Sequence, residues 1–377
     1  MTDRIQVDVN LLWCAHGRVG GSEEYLVRQL AGLHEPEVPE GGGAPIECTL
    51  HLGKQLSLAR MELSGFQQRV SRWNVDRRLP RIVIEHSEFA VRSRRASIVH
   101  HGGGTLPLIR PSSPTLLTIH DLQYLRFPEY FSQGRLAYLR AMMPRSARSA
   151  TLIATPTAHV ADTVAQAFDI DRDKCVVIPH GVPPLDMGES DPVDVRRRLG
   201  ISTDQIFVVY PAITHPHKGH GTLIAAIAAH LPDVVLVLCG GAGAAEQSVR
   251  AAIGASGASD RIIRVGRVSE RERNSLIAAA NVLAMPSEEE GFGAPVVEAM
   301  QLGTPVVCSD IPALREVAGG AAVHTAQDPL DIAAGIRHAI AHRAELVAAG
   351  THRASQFSLA ASGGALATAY RRLADNS

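Results

Sequence analysis

The sequence predicts an α/β protein built from two domains, each with a parallel sheet flanked by helices. The chain has 377 residues, which exceeds the usual size of a single hydrophobic core. Short β-rich runs alternate with helical patterns from end to end, and this alternation is typical of parallel strands joined by right-handed crossovers. Aromatic residues make up 4% of the chain and hydrophobic residues 45%, a composition typical of buried parallel strands.

Two series of strands can be placed by their composition. The predicted strands of the first half are 5–12, 46–52, 81–85, 96–100, 115–120, 151–155 and 175–179. Those of the second half are 206–211, 234–239, 262–265, 282–286 and 306–309. Between the two series, residues 181–195 are rich in proline, glycine and acidic residues and lack periodicity. We therefore place the first domain at 1–182 and the second at 183–359.

Charge and cysteine content exclude several classes of protein. The net charge is −1, so there is no overall attraction to nucleic acid. Five cysteines are widely spaced, and they are expected to be small buried side chains in a reducing compartment. The first residues lead directly into a strand-like run, with no signal peptide and no apolar run long enough to cross a bilayer. We therefore expect a cytoplasmic protein, with attachment to the inner membrane surface left open.

The most informative stretch is 287–303, in which Glu288–Glu290 and a Gly-Phe-Gly turn precede an apolar helix. Pro295 suits the first turn of that helix and Gly303 its end. Glu298 is the only charge on the helix, and a buried carboxylate needs fixed donors or a polar ligand. The backbone N–H groups at the helix start are suited to phosphate. Taken alone, the stretch also fits a glycine-rich turn followed by a satisfied core glutamate.

Other polar residues also follow predicted strands. Gly20 and Gly21 precede a helix and allow the backbone to approach a ligand closely, although a plain tight turn fits as well. The sequence around them is not the dinucleotide fingerprint, which argues against a nicotinamide dehydrogenase. Lys218 stands at a loop-to-helix junction, where it can serve as a point cation for phosphate.

Histidines follow three of the strands and invite a metal interpretation. His100 and His101 are adjacent and lack the spacing of a helical zinc pair. The histidines around Lys218 have no carboxylate partner in their loop, so we predict no metal site there. Asp169-Ile170-Asp171 is predicted to be a helix-terminating turn rather than a metal-binding motif.

The segment Glu290-Gly-Phe-Gly-x-Pro-x-x-Glu298 resembles the E-x7-E motif of retaining GT-B glycosyltransferases of the GT4 family. The resemblance extends from the Gly20-Gly21 turn to residues 311–316 and also includes His120-Asp121. It implies the GT-B fold, two Rossmann-like domains that face each other across a cleft at the carboxyl ends of their sheets. It also implies that a final helix, about 360–377, packs back on the first domain.

The resemblance assigns a role to each candidate residue. Glu298 would hold the ribose hydroxyls, Glu290 would contact the donor sugar, and His120 would lie beside the anomeric centre, with Asp121 orienting the backbone or the imidazole. Ala212 occupies the place of an arginine common in the family, so Lys218 would neutralise the diphosphate with help from Thr214, His217 or a helix dipole. The remaining donor-binding residues implied are Gly20, Gly21, Arg267, Gly291, Phe292, Gly293 and Ala294.

These roles predict a retaining hexosyltransferase that uses a nucleotide-diphosphate sugar and needs neither a metal nor a cofactor. The resemblance to the mannosyltransferase-like branch favours GDP-mannose, with a UDP-sugar as the alternative, and the acceptor would be a glycan, a lipid or a small molecule. Rival interpretations are a sugar-nucleotide epimerase and a non-catalytic sugar-nucleotide-binding protein. Residues 60–95 are rich in arginine, which fits either a solvated helix face or contact with an anionic membrane.

Overall fold

A computed structural model describes residues 4–17, 20–35, 44–75, 78–93, 96–108, 112–188 and 191–375, with the side chains of 78 and 79 left out. The chain divides into two compact units. Unit 1 comprises Met1–Gly181 together with Ser358–Ser377, and unit 2 comprises Val182–Phe357.

Unit 1 contains, within its described residues, a sheet of seven parallel strands in the order β3-β2-β1-β4-β5-β6-β7. The strands are β1 (Ile5–Asn10), β2 (Ile46–Leu52), β3 (Gln67–Val70), β4 (Ile98–His101), β5 (Thr115–Thr118), β6 (Leu152–Thr155) and β7 (Cys175–Val177). The helices are α1 (Gly21–Gly32), α2 (Lys54–Ala59), α3 (Arg78–Ile84), α4 (Ala90–Arg92), α5 (Gln123–Arg126), α6 (Gln133–Ser149), α7 (Ala158–Phe168) and α16 (Leu359–Asp375). The strand order reverses between β1 and β4, which is where open α/β sheets bind ligands.

The strand predicted at 81–85 is wrong, because these residues are helical. They continue α3 into a π-helical turn, Glu85–Phe89. The β-branched run there packs on one side only, since Ile84 is buried whereas Val83 is 64% exposed. The third strand is instead β3, which the sequence did not reveal because an edge strand exposed on both faces needs no apolar residues.

The last helix, α16, packs against α1 in unit 1. Glycines make this close approach possible: a Cβ on Gly32 would lie 2.1 Å from the carbonyl oxygen of Leu359, and one on Gly363 would lie 2.1 Å from the carbonyl carbon of Gly32. Further along the helix, the hydroxyl of Tyr370 lies 2.7 Å from Nδ1 of His100. Backbone contact and a buried hydrogen bond therefore fix α16 to this unit.

Unit 2 repeats the architecture with six parallel strands among its described residues, in the order β10-β9-β8-β11-β12-β13. The strands are β8 (Ile206–Pro211), β9 (Val234–Cys239), β10 (Ile262–Gly266), β11 (Val282–Met285), β12 (Val306–Ser309) and β13 (Val323–Thr325). The helices are α8 (Pro192–Arg198), α9 (His220–His230), α10 (Glu246–Ala255), α11 (Glu270–Ala279), α12 (Ala294–Gln301), α13 (Pro312–Ala318), α14 (Pro329–Ala341) and α15 (Arg343–Ala354). The edge strand β13 was not predicted. With three residues it is too short to show the alternation of apolar and polar residues by which a strand is recognised.

The strand order of unit 2 reverses between β8 and β11, so the loops that follow these two strands are neighbours at one edge of the sheet. Strands β9, β11 and β12 are buried along their whole length. All five cysteines of the chain are free and buried. Among the residues described, none of the helices combines the length and the apolar character needed to span a bilayer.

Candidate functional site

The loop between β11 and α12 carries the Gly-Phe-Gly turn. Gly293 has φ +87° and precedes the first residue of α12, a conformation that favours glycine. Phe292 is buried and packs edge-on against Phe357, with ring centroids 5.4 Å apart. Pro295 lies in the first turn of α12, as predicted. The turn between Gly291 and Ala294 is therefore held by packing, which fixes the direction of the backbone N–H groups at the helix start.

Lys218 and Glu290 form an ion pair between the loop that follows β8 and the loop that follows β11. The Nζ of Lys218 donates to Oε1 of Glu290 at 2.6 Å. Their side chains are 18% and 10% exposed, so the pair lies near the surface but is largely shielded from water. The structure thus brings together two residues that are 72 positions apart in the sequence: the cation of the β8 loop and the carboxylate of the β11 loop.

A buried tyrosine and backbone contacts hold these two loops together. Tyr210 donates its hydroxyl hydrogen to the carbonyl of Lys218 at 2.8 Å, and the same oxygen lies 3.1 Å from Oγ of Ser287. The backbone N–H of Glu288 donates to the carbonyl of His217 at 2.8 Å. A Cβ on Gly219 would lie 2.1 Å from the carbonyl oxygen of Pro286. The ion pair therefore rests on a rigid base rather than on two independent loops.

Glu298 is 2% exposed, in the middle of α12. One partner of its carboxylate is Arg273 of α11, whose Nη2 lies 3.3 Å from Oε1. Sequence reasoning missed Arg273. The sequence does indicate that the buried carboxylate of Glu298 needs a cation as its partner. It does not indicate which arginine supplies that cation, because this depends on how α11 packs on α12.

Thr214 and His217 follow β8 and are both buried. The Thr214 hydroxyl donates to Oε2 of Glu246 at 2.9 Å and accepts from the backbone N–H of Gly243 at 2.8 Å. Burial, followed by the charge of Lys218, lowers the pKa of His217 to about 3. His217 is therefore neutral near pH 7 and offers hydrogen bonds rather than positive charge. Thr214 already has a donor and an acceptor within the protein.

Arg264, in the middle of β10, is a second arginine that the sequence did not single out. Its Nη2 lies 2.9 Å from Oε2 of Glu246, and its side chain is 9% exposed. Arg264 therefore supports the Thr214 loop through Glu246. Arg267 is exposed and follows Gly266, which has φ +85°.

In unit 1, His120 lies just after β5. Its Nε2 is 3.1 Å from the carbonyl oxygen of Gly102, so Nε2 carries the hydrogen and Nδ1 is left as an acceptor. The ring packs edge-on against Tyr25, with centroids 5.1 Å apart. Burial lowers the pKa of His120 to about 4. A neutral, oriented imidazole suits the positioning of a sugar hydroxyl.

The glycine turn after β1 is pinned by Glu23 of α1. Gly20 has φ +69° and precedes Gly21, the first residue of the helix. The Glu23 carboxylate accepts from the backbone N–H of Gly17 at 3.1 Å and from Nε of Arg60 at 2.7 Å. Positions 18 and 19 of the turn lie outside the described residues. Among the described residues of unit 1, Glu23 and Arg60 therefore fix the position of Gly17, where this turn begins.

Two family models match the chain. "Glycosyltransferase Family 4" matches residues 19–184, and "Glycosyl transferases group 1" matches residues 194–353. Each match covers one of the two structural units. The chain belongs to the GT4 glycosyltransferases. The sequence-based family assignment is thereby confirmed.

Individual relatives of this GT4 chain include two mannosyltransferases. It is 28% identical over 229 residues to the O-antigen chain mannosyltransferase RfbU of Salmonella typhimurium, covering 61% of this chain and 60% of the relative. It is 30% identical over 257 residues to the O-antigen chain mannosyltransferase B of Escherichia coli, covering 64% and 66%. The chain thus spans about two thirds or less of the length of these relatives.

Among solved structures, the GT4 chain resembles Anabaena Alr3699/HepE, crystallised with UDP and glucose. The TM-score is 0.74, the identity is 20%, and the match covers 98% of this chain and 100% of that one. At this identity the likeness concerns the fold alone. The predicted GT-B fold, with two parallel-sheet α/β units, is confirmed.

Three other residues that the sequence analysis singled out, His100, His101 and Asp169, have structural surroundings in this glycosyltransferase. His100 is fully buried, with Nε2 2.8 Å from the Thr118 hydroxyl, and burial lowers its pKa to about 3. His101 is the last residue of β4 and is 1% exposed. Asp169 has φ +51° at the end of α7, so the helix-terminating turn is confirmed. Within the described ranges, no group of three or more His, Cys, Asp or Glu side chains could hold a metal ion.

Several arginines of the 60–95 segment are bound to their own domain. Arg60 pairs with Glu23 and Glu24, Arg81 donates to the carbonyl of Trp13 at 3.0 Å, and Arg92 pairs with Glu88 at 2.7 Å. Arg77, Arg94, Arg95 and the side chain of Arg78 lie outside the described residues. Three large apolar side chains nearby are strongly exposed: Leu58 at 70%, Met61 at 72% and Trp73 at 66%. Arg69 and Arg72, in the same stretch of the sequence, are exposed as well.

Proposed function

We propose that this chain transfers a hexose, with mannose favoured, from a nucleotide-diphosphate sugar to an acceptor hydroxyl, with retention at the anomeric carbon and without a metal ion. The observation that carries the proposal is the Lys218–Glu290 pair at the switch point of unit 2, beside the start of α12. One edge of the sheet offers a cation, a carboxylate and helix N–H groups, which match a diphosphate linked to a sugar.

In the proposed reaction, the bond between the anomeric carbon and the diphosphate oxygen breaks, and the acceptor oxygen bonds to the same face of that carbon. The acceptor proton passes to the departing phosphate oxygen. Lys218 and the N–H groups from Gly291 to Ala294 offset the negative charge that develops on the diphosphate. Glu290 orients hydroxyls of the donor sugar and Glu298 those of the ribose. For His120 and the Gly20-Gly21 turn we keep the roles that the family resemblance implies, beside the anomeric carbon and in donor binding.

Mannose is favoured because two relatives carry mannosyltransferase names. A thermal-shift screen of GDP-, UDP- and ADP-sugars tests the donor, because a ligand at 100 times its dissociation constant adds about 2.7 kcal/mol to the free energy of unfolding. Release of the nucleoside diphosphate is then measured with and without an acceptor panel. Acceptor-dependent release with an α-linked product supports the proposal, whereas interconversion of the donor sugar without acceptor would indicate an epimerase. Binding without turnover would indicate a non-catalytic protein, and a stabilising effect from none of the sugars would refute the proposal.

We also propose that unit 1 docks on an anionic membrane through a surface patch formed by Leu58, Met61, Arg69, Arg72 and Trp73. Exposed apolar side chains enter the headgroup region while each arginine near an anionic surface contributes about 1 kcal/mol. The arginines bound within the domain, described above, are not part of this patch.

Co-sedimentation with phosphatidylglycerol vesicles tests the membrane patch. We expect binding that weakens in high salt and a blue shift of tryptophan fluorescence, both reduced by Trp73→Ala. Leu330→Ala is a matched control, since Leu330 is 60% exposed in unit 2. If low salt gives no binding, the segment is an ordinary solvated surface.

A further inference from the structure

The glycine loop that follows β4 lies against the ring of Trp13. A Cβ on Gly103 would lie 2.7 Å from Cγ of Trp13, and one on Gly102 would lie 2.9 Å from its Nε1. Neither glycine has a φ in the left-handed region, so no turn requires glycine at these two positions. The absence of side chains instead lets the backbone of the loop contact the indole ring.

Two hydrogen bonds fix the orientation of Trp13 after the end of β1. Its indole Nε1–H donates to the carbonyl of Asn10 at 3.1 Å, and its own carbonyl accepts from Nη1 of Arg81 at 3.0 Å. The side chain is half-buried and packs against the core of unit 1. An indole ring held at its nitrogen and at its backbone is a rigid surface for the glycine loop to rest on.

The same glycine loop holds His120. The carbonyl of Gly102 accepts from Nε2 of His120 at 3.1 Å, and the rings of Trp13 and His120 have centroids 5.9 Å apart. Tyr25 contacts the imidazole edge-on, and its hydroxyl donates to the carbonyl of Ile178 at 2.6 Å. The two aromatic rings restrict the plane of the imidazole, whereas the Gly102 carbonyl determines which ring nitrogen carries the hydrogen.

We propose that Trp13 is a positioning residue for His120. By fixing the Gly102 carbonyl, Trp13 keeps the hydrogen on Nε2 and leaves Nδ1 as the acceptor for a hydroxyl of the donor sugar. Glycines have the greatest backbone freedom, so without the indole ring the carbonyl moves and the imidazole adopts other orientations and the other tautomer. The inference rests on the proposed function, because it takes the role of His120 from there.

Transfer kinetics and calorimetry test the effect on the reaction. Trp13→Phe keeps a flat ring but removes the donor to Asn10, and we expect kcat to fall about 10-fold; Trp13→Ala should lower it about 100-fold, as for a group misplaced by about 1 Å. Gly103→Ala, whose methyl group would displace the indole ring, should also lower kcat. Affinity for the nucleoside diphosphate should stay unchanged, because the partners proposed for it include Lys218 and Glu298 of unit 2.

Two measurements distinguish positioning from a general loss of packing. Spectra of ¹⁵N-histidine-labelled protein at about pH 7, assigned by the signal missing in His120→Ala, should show hydrogen on Nε2 alone in wild type and mixed tautomers in Trp13→Phe. In a double-variant cycle, Trp13→Phe should lower kcat no further once His120 is replaced by alanine, because positioning acts only through the imidazole.

Phe66→Leu is a matched control for loss of an aromatic contact in unit 1. Phe66 is buried and packs against His34, with ring centroids 4.3 Å apart, and it contacts neither the glycine loop nor His120 in the interactions described above. The control should lose stability and keep both the tautomer and kcat of wild type.

Each result decides the inference. Should Trp13→Ala fail to fold, Trp13→Phe and Gly103→Ala still provide the test. The inference is wrong if Trp13→Phe keeps the tautomer and kcat of wild type, or if its effect on kcat multiplies with that of His120→Ala. If His120→Ala alone retains full kcat, the role of His120 and this inference fail while the proposed transfer stands. If no pair of donor and acceptor supports transfer, the proposed function fails and the inference with it.

Discussion

Replacing Lys218 by alanine separates the structural role of its ion pair from its role toward the donor. In the free protein the variant loses a contact of 2.6 Å between side chains that are 18% and 10% exposed. Breaking a fully buried pair costs roughly 3–5 kcal/mol and an exposed pair roughly 0–1 kcal/mol. For this partly shielded pair we expect a loss of about 2 kcal/mol in the free energy of unfolding, which lowers the melting temperature by roughly 4–8 °C.

The effect on the reaction should be larger than the effect on stability. Loss of one preorganised charge at the leaving diphosphate raises the barrier by about 3 kcal/mol, which corresponds to roughly 150-fold in kcat/KM. The unpaired carboxylate of Glu290 would also repel the diphosphate. Calorimetry should therefore show weaker binding of the nucleoside diphosphate and unchanged binding of the corresponding nucleoside.

Two further variants make this test specific. The double variant Lys218→Ala/Glu290→Gln should lose less stability than the sum of the single variants, because it leaves no uncompensated charge. Lys54→Ala, an exposed lysine of unit 1, should behave as wild type. If Lys218→Ala retained full kcat/KM and full affinity for the diphosphate, Lys218 would not be the phosphate cation. A purely additive double variant would refute the reasoning about the ion pair.

Three more outcomes are expected. Glu298→Ala should weaken nucleoside diphosphate binding even without the sugar, and unchanged affinity in calorimetry would contradict its ribose role. Activity should persist in excess chelator, and an absolute requirement for a divalent ion would refute the metal-free reaction. Burial holds the pKa of His101 at about 3 and that of His120 at about 4, so the unfolded chain binds protons that the folded protein does not. The free energy of unfolding should therefore fall as pH drops from about 6.5 toward 4, by about 2 kcal/mol per histidine at about pH 5. Urea denaturation that gave equal stability at about pH 7 and about pH 5 would contradict these shifts.

Local sequence patterns predicted the helices and turns whose structure depends on interactions between neighbouring residues. Pro295 and the apolar run after it correctly gave the buried helix α12, because helix starts and burial depend on neighbouring residues. The helix-terminating turn at Asp169 was predicted for the same reason. The strand at 81–85 was predicted wrongly, since a β-branched run fits a helix equally well when it packs on one side. Strand β3 was missed because it lies at the edge of the sheet and is largely exposed, so it lacks the apolar residues by which a strand is recognised in the sequence.

The sequence by itself determined the family, the repeated α/β pattern and which loops carry glycines, carboxylates and Lys218, since these features are local and follow strand ends. Only the tertiary structure decided which partners those residues meet. Lys218 meets Glu290 because β8 and β11 are adjacent where the strand order reverses. Glu298 meets Arg273 because α11 packs beside α12. Such contacts join residues distant in sequence, and sheet order and helix packing, which no local pattern encodes, determine them.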